Sequence, residues 1–258
     1  AVPNSMNGRG VRAQGSGDVL LESRGSSGDI IVNAGILSES GHITLNAAGS
    51  ADLNANIQTS GNGTVYIVAE SRIDVDAGLI TTAGDILIHA GRELSQTGLI
   101  QSSAGDIGLV AGNNLRQSAS GDVLTSTGDV LVDAGTNWEM NSDTMITVGG
   151  GEFLGQARSG RILLGVLELT NSITNQVAML AGTDIADPNG AAINILESIA
   201  SSNTSVSLRS GGTIGNSDLL NLTPGQNSNA IDLNVDVVSA TAETGIYLRE
   251  IAAGGGLT

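Results

Sequence analysis

Residues 84–115 read GDILIHAGRELSQTGLIQSSAGDIGLVAGNNL, and this stretch decides the fold. Ile86, Ile88 and Ala90 alternate with Leu87 and His89; further on, Ile107, Leu109 and Ala111 alternate with Gly108 and Val110. Alternation at period two in β-branched and other apolar residues marks a strand with one buried face. The Gly before each run and the Ala-Gly after it are corner chemistry. The same block recurs as GDIIVNAG (28–35), GHITLNAA (41–48), GTVYIVAE (63–70) and GDVLVDAG (128–135). Its leading glycines, Gly41, Gly63, Gly84, Gly105 and Gly128, follow one another at nearly equal intervals.

The rest of each unit aligns as well. Leu53, Ile73, Leu94 and Leu115 form a second column, and Ile57, Ile80, Ile100 and Leu124 a third. Thr59, Thr82, Ser102 and Ser126 follow the third column two positions later. One unit of about 21 residues thus holds three short strands, and so short a unit buries its apolar side only by stacking on its neighbours. The expected fold is all-β: a parallel β-helix (β-solenoid) with three strands per coil. Roughly twelve coils at ~4.8 Å each predict a rod on the order of 60 Å long. The organisation expected is a lead-in segment, 1–16, regular coils over 17–135, and larger, less regular coils over 136–258. The segment 214–229 reads as a protruding loop.

Composition excludes much else. The 258 residues include 37 Gly and 3 Pro, no Cys, and only four aromatics, Tyr66, Trp138, Phe153 and Tyr247. A disulfide scaffold and cysteine-ligated zinc are impossible. All ten basic residues other than His are Arg, and the net charge of -16 argues against nucleic acid as partner. Apolar residues at 40% are enough to build a core rather than a disordered chain. No apolar run reaches the ~18 residues of a membrane span, and no signal-peptide pattern stands at the start.

The recurrent GD(I/V)xLxAG strand and its following Leu and Ile strands resemble the filamentous-haemagglutinin-like repeats of very large bacterial surface proteins. The later stretch GGTIGNSDLLNL…AIDLNVDVVSATAETGIYLREIAAGGGL is similar to the long repeats of such giant adhesins. The resemblance implies a right-handed parallel β-helix, export to the cell surface or beyond, and a role in adhesion or surface filaments; a surface glycan or a host cell is admitted as a partner. No cofactor and no catalytic residue are expected.

Several residue groups are candidates for more than structure. Asp29, Asp85, Asp106 and Asp129 would stack in a column, either bridging coils through calcium or capping their own corners as Asx-turns. His42 and Thr64 interrupt that column, which favours the corner role. The acidic pairs Asp74/Asp76, Asp184/Asp187 and Asp232/Asp236 admit a polysaccharide-processing β-helix enzyme, or a carbohydrate-binding module, as alternatives. The scarcity of aromatics speaks against both. His42 and His89 read as a corner and a surface residue. Gln58, Thr81, Gln101 and Thr125 read as outward positions, too mixed for an ice-binding face.

The outward side of the first strand is too apolar for a solvated face. It reads Ile31, Thr44, Tyr66, Leu87, Gly108, Leu131 and Leu163, with Val68, Val110 and Leu180 in the next slots. A lateral contact stripe of Ile31, Tyr66, Leu87, Val110, Leu131 and Leu163 is therefore expected. No capping helix is visible at either end, so the expected partners are flanking repeats of a longer chain, or copies associating laterally or end to end. The function expected is a structural or adhesive rod, a spacer or filament.

Overall fold

The computed structural model describes residues 9–81, 83–170, 176–188, 193–198, 204–216 and 229–251. Among these residues there is no helix, and the strands form three sheets of eleven, ten and ten strands. Strands follow one another around the three sheets in turn, and each pairs in parallel with the strand three places later. Ile86–Ala90 lies in the sheet called B here, Glu93–Gln96 in sheet C and Ile100–Ser102 in sheet A. The chain then returns to sheet B at Ile107–Ala111, beside its starting point. The fold is a parallel β-solenoid.

In sheet B one inward column runs Val19, Ile43, Val65, Ile86, Ile107, Val130, Phe153 and Val177, and its members are nearly evenly spaced in the sequence. Val206 and Val238 continue the column after distinctly longer coils. The long coils therefore begin after Val177 rather than at residue 136. Sheet B is ten strands deep among the described residues, not the twelve expected. The expected loop 214–229 is described only at its edges, since 217–228 lie outside the described residues.

Glycine makes such stacking sterically feasible. A Cβ on Gly63, Gly84, Gly105 or Gly128 would stand 1.9–2.3 Å from the carbonyl oxygen of the glycine one coil earlier. The chain here crosses a corner at the coil-to-coil spacing, where backbone meets backbone and no side chain fits. Serine and threonine close the same corner from inside. Ser102 Oγ donates to Gly84 O at 2.9 Å and accepts Gly105 N–H at 2.8 Å, and Thr125 repeats the pattern with Gly105 and Gly128.

The interior is otherwise columns of Ile, Val and Leu, each fully buried side chain contributing about 1.5–3 kcal/mol. One column breaks the pattern. Trp138 takes the place held by Ile73, Leu94 and Leu115 in earlier coils. Its indole packs on Phe153 with ring centroids 5.9 Å apart, and its Nε1–H donates to Gln117 Oε1 at 2.9 Å. Gln117 Nε2–H in turn donates to Gln96 Oε1 at 2.9 Å. These buried amides are tied into a chain that leaves neither unpaired.

Three expected alignments are shifted. Leu79, not Ile80, pairs with Ile57 and Ile100, and Val123, not Leu124, continues the column. Thr81 and Thr125 are consequently buried rather than outward, and Thr82 lies outside the described residues. Ile73 pairs with Ala51, while Leu53 stands opposite Val75. GDIIVNAG supplies a sheet C strand, Ile30–Val32; the sheet B strand of that coil is Val19–Ser23.

Candidate functional site

The outer face of sheet B carries the most apolar surface. Its register sets Leu20, Thr44, Tyr66, Leu87, Gly108, Leu131, Leu154 and Ala178 in one outward column. Leu20, Tyr66 and Leu87 are 65%, 40% and 37% exposed, while Leu131 and Leu154 are half-buried. Of the expected stripe, Tyr66, Leu87 and Leu131 share this column, and Val110 lies in the neighbouring one beside His89 and Asp133.

Ile31 and Leu163 do not belong to the stripe. Both lie on sheet C, in the column Ile31, Asp52, Asp74, Ser95, Arg116, Glu139, Leu163. That face is charged and paired with itself. Arg116 Nε contacts Glu139 Oε2 at 3.1 Å, Arg161 reaches Glu139 Oε1 at 2.8 Å, and Arg72 Nε meets Asp74 Oδ1 at 2.7 Å. Leu20 and Leu154 were the missed members of the sheet B column. The strand bearing Leu154 opens GGGEFLGQA and lacks the Gly-Asp signature, although Gly151 stands one unit after Gly128.

A groove of about 620 Å³ runs along sheet B across six coils, from Asp85 to Ser207. Its floor is Leu87, Gly108, Leu131 and Leu154, and one rim is the column Asp85, Asp106, Asp129, Glu152. Among the described residues, no arginine lines it. The rim carboxylates do not cap their own corners. Asp85 Oδ1 accepts the N–H of Asp106 at 2.9 Å, Asp106 Oδ1 that of Asp129 at 2.8 Å, and Asp129 Oδ1 that of Glu152 at 2.7 Å. Each Asp thus joins its coil to the next. His42 fills the same slot, its Nδ1 accepting Thr64 N–H at 3.1 Å. Asp29 and Asp122 do the equivalent at the other two corners, accepting from Ser50 and Met145.

The other acids are engaged as follows. Burial pushes the Asp74 carboxyl up against the opposing pull of Arg72, and Asp52 and Asp76 add to the rise. Hydrogen bonding from Arg161 holds Glu139 below the usual carboxylate range against the cost of burial, and Arg116 adds to the lowering. Asp76 accepts from Thr97 Oγ1, Asp184 from Thr213 N–H, and Asp236 from Thr204 N–H. Asp187 and Asp232 meet through Asn194, whose Nδ2 donates to Asp187 at 3.1 Å while its Oδ1 accepts Asp232 N–H at 2.9 Å. Asp232 is fully buried and grips Arg249 with both oxygens. Among the described residues no three metal-ligating side chains gather. His89 is exposed on sheet B, and His42 lies at the corner of that sheet two coils earlier.

No family model matches the chain. Searches of the curated proteins and of the solved structures also find no match.

Proposed function

We propose that this chain is a structural rod of a large extracellular bacterial protein, serving as a spacer or filament segment in adhesion. The observation that carries the reading is the joint between coils. Sheet hydrogen bonds, the close glycine contacts and the Asp-to-backbone bonds all run along one axis, from each coil to the next. A load applied along that axis meets every bond of a coil together. Ten coils at ~4.8 Å correspond to a segment on the order of 45 Å.

The likeness of the repeated strand to filamentous-haemagglutinin-like repeats supports the surface location. The acidic surface supports solubility of an otherwise repetitive β-protein. Electron microscopy of the native protein on and off the cell surface tests the proposal. Thin straight rods or filaments are expected, lengthened measurably when two coils are duplicated. Isolated globules that do not respond to duplication would overturn it.

A further inference from the structure

The sheet B groove goes beyond a passive rod, and we propose that it seats a cationic amphipathic helix from another protein, laid parallel to the solenoid axis. The groove pairs an apolar floor with a rim of negative charge, and the rim selects the sign of its occupant. Asp85, Asp106, Asp129 and Glu152 are exposed along one side, and among the described residues no arginine lines the groove to neutralise them. The chain has no lysine, and most of its ten arginines are engaged by its own carboxylates, which favours a cationic partner from another protein. A second copy would bring the same acidic column to the contact.

The backbone determines the occupant's conformation. Sheet B's N–H and C=O groups are taken up by its own ladder, so its outer face offers no partners to an extended peptide lying across it. A helix satisfies its backbone internally and needs only side-chain contacts. Its pitch of about 5.4 Å is also nearer the coil rise of ~4.8 Å than the ~6.6 Å between like-facing residues of a strand. Six coils span about 24 Å, which a helix of about 16 residues covers. Between Leu87 and Leu131 the column drops to Gly108, over which the Leu87 side chain leans, so the apolar stripe of the helix packs on Leu87, Leu131 and Leu154. Basic residues flanking its apolar stripe then lie along the carboxylate rim.

The test uses a designed peptide of leucine and lysine, about 16 residues long, with leucines at i, i+3, i+4 and i+7. It is titrated into the full chain by calorimetry, beside a scrambled peptide of the same composition and one with glutamine for lysine. Binding about tenfold tighter than either control, weakened by salt and accompanied by a gain of helix in circular dichroism, is the expected result. Asp106→Asn with Asp129→Asn keeps both Oδ1 acceptors while removing two charges, and loses about tenfold in affinity. Leu131→Ser, on the outer face, also weakens binding. Should these variants fail to fold, the peptide series and salt dependence on the unaltered chain still decide. Equal binding of the scrambled peptide, or an extended bound conformation, overturns the proposal. So does a dimer of the chain that Leu131→Ser abolishes, which would give the groove to a second copy. None of these failures touches the rod reading, which microscopy decides.

Discussion

The indole of Trp138 lies over the α-carbon of Gly155, so that a methyl group there would stand 2.5 Å from Trp138 Cζ3. Gly155 occupies the inward slot filled by Val132 one coil before and Met179 one coil after. The solenoid therefore accommodates its single tryptophan by removing a side chain from the adjoining strand.

Gly155→Ala is expected to lower stability by about 1–3 kcal/mol through overpacking. Trp138→Ala costs about 3–5 kcal/mol and leaves Gln117 Oε1 without the indole donor. In Trp138→Leu the penalty of Gly155→Ala shrinks, because the two positions share one volume. Urea denaturation of the four proteins in a double-mutant cycle measures the coupling.

At the corners the outcome depends on what a methyl group meets. On Gly105 it would stand 2.3 Å from the Gly84 carbonyl oxygen, which is fixed backbone; on Gly108 it meets only the Leu87 Cδ1 at 2.8 Å, the end of a mobile side chain. Gly105→Ala is expected to abolish or sharply reduce folded protein. Gly108→Ala is expected to stay within about 0.5 kcal/mol of the parent, as for surface changes generally. Thermal melts of the purified proteins separate the two.

Asp106→Ala removes the acceptor of Asp129 N–H and is expected to cost about 1 kcal/mol, whereas Asp106→Asn keeps it. Asparagine also relieves repulsion within the column Asp85, Asp106, Asp129, Glu152. The Asn variant is expected to melt above the parent at low salt, with the difference fading near ~1 M salt as screening sets in. Melting curves across a salt series provide the measurement.

Asp74 and Glu139 share one outward column of sheet C, three coils apart, and respond to pH with opposite sign. Glu139 is depressed when folded, so its stabilisation is present above the ordinary glutamate pKa of about 4.3 and is lost as pH falls through its lower folded value. Asp74 is raised, so the folded state holds its proton more tightly and stability declines as pH climbs from the ordinary aspartate pKa through the folded value. Glu139→Gln is expected to flatten the acid-side loss of stability. Asp74→Asn is expected to raise stability at neutral pH relative to acid. Denaturation midpoints between about pH 3 and 7 distinguish them.

The alternation Ile86, Ile88, Ala90 was readable because the residues between them differ from strand to strand while these stay apolar. Leu79-Ile80-Thr81 was not, since two adjacent apolar residues leave the phase of a three-residue strand undefined, and a slip of one turns the strand inside out. The Gly-Asp pair misled at Asp29. It marks a corner where a side chain takes the next coil's N–H, and all three corners need that bond, as Asp18, Asp29 and Asp122 show by accepting from His42, Ser50 and Met145. A local motif for the bond cannot tell which sheet follows. Hence the sequence pattern puts Ile31 on the apolar face and gives no sign of Leu20. The acidic rim was legible as a column, but its direction, from coil to coil rather than within the turn, emerges only in three dimensions.

Asp106 receives nothing from its own turn that Asp85 or Asp129 does not receive from theirs: each carboxylate grips the backbone of its successor, and each backbone is gripped by its predecessor. Turns such as those of Asp106 and Asp129 are thus both plug and socket of one standard connector. Unequal crossing-over in the gene, in increments of one whole turn, can add or delete turns without inventing a new junction. Evolution can in this way tune the reach of such a molecule as easily as links are added to a chain.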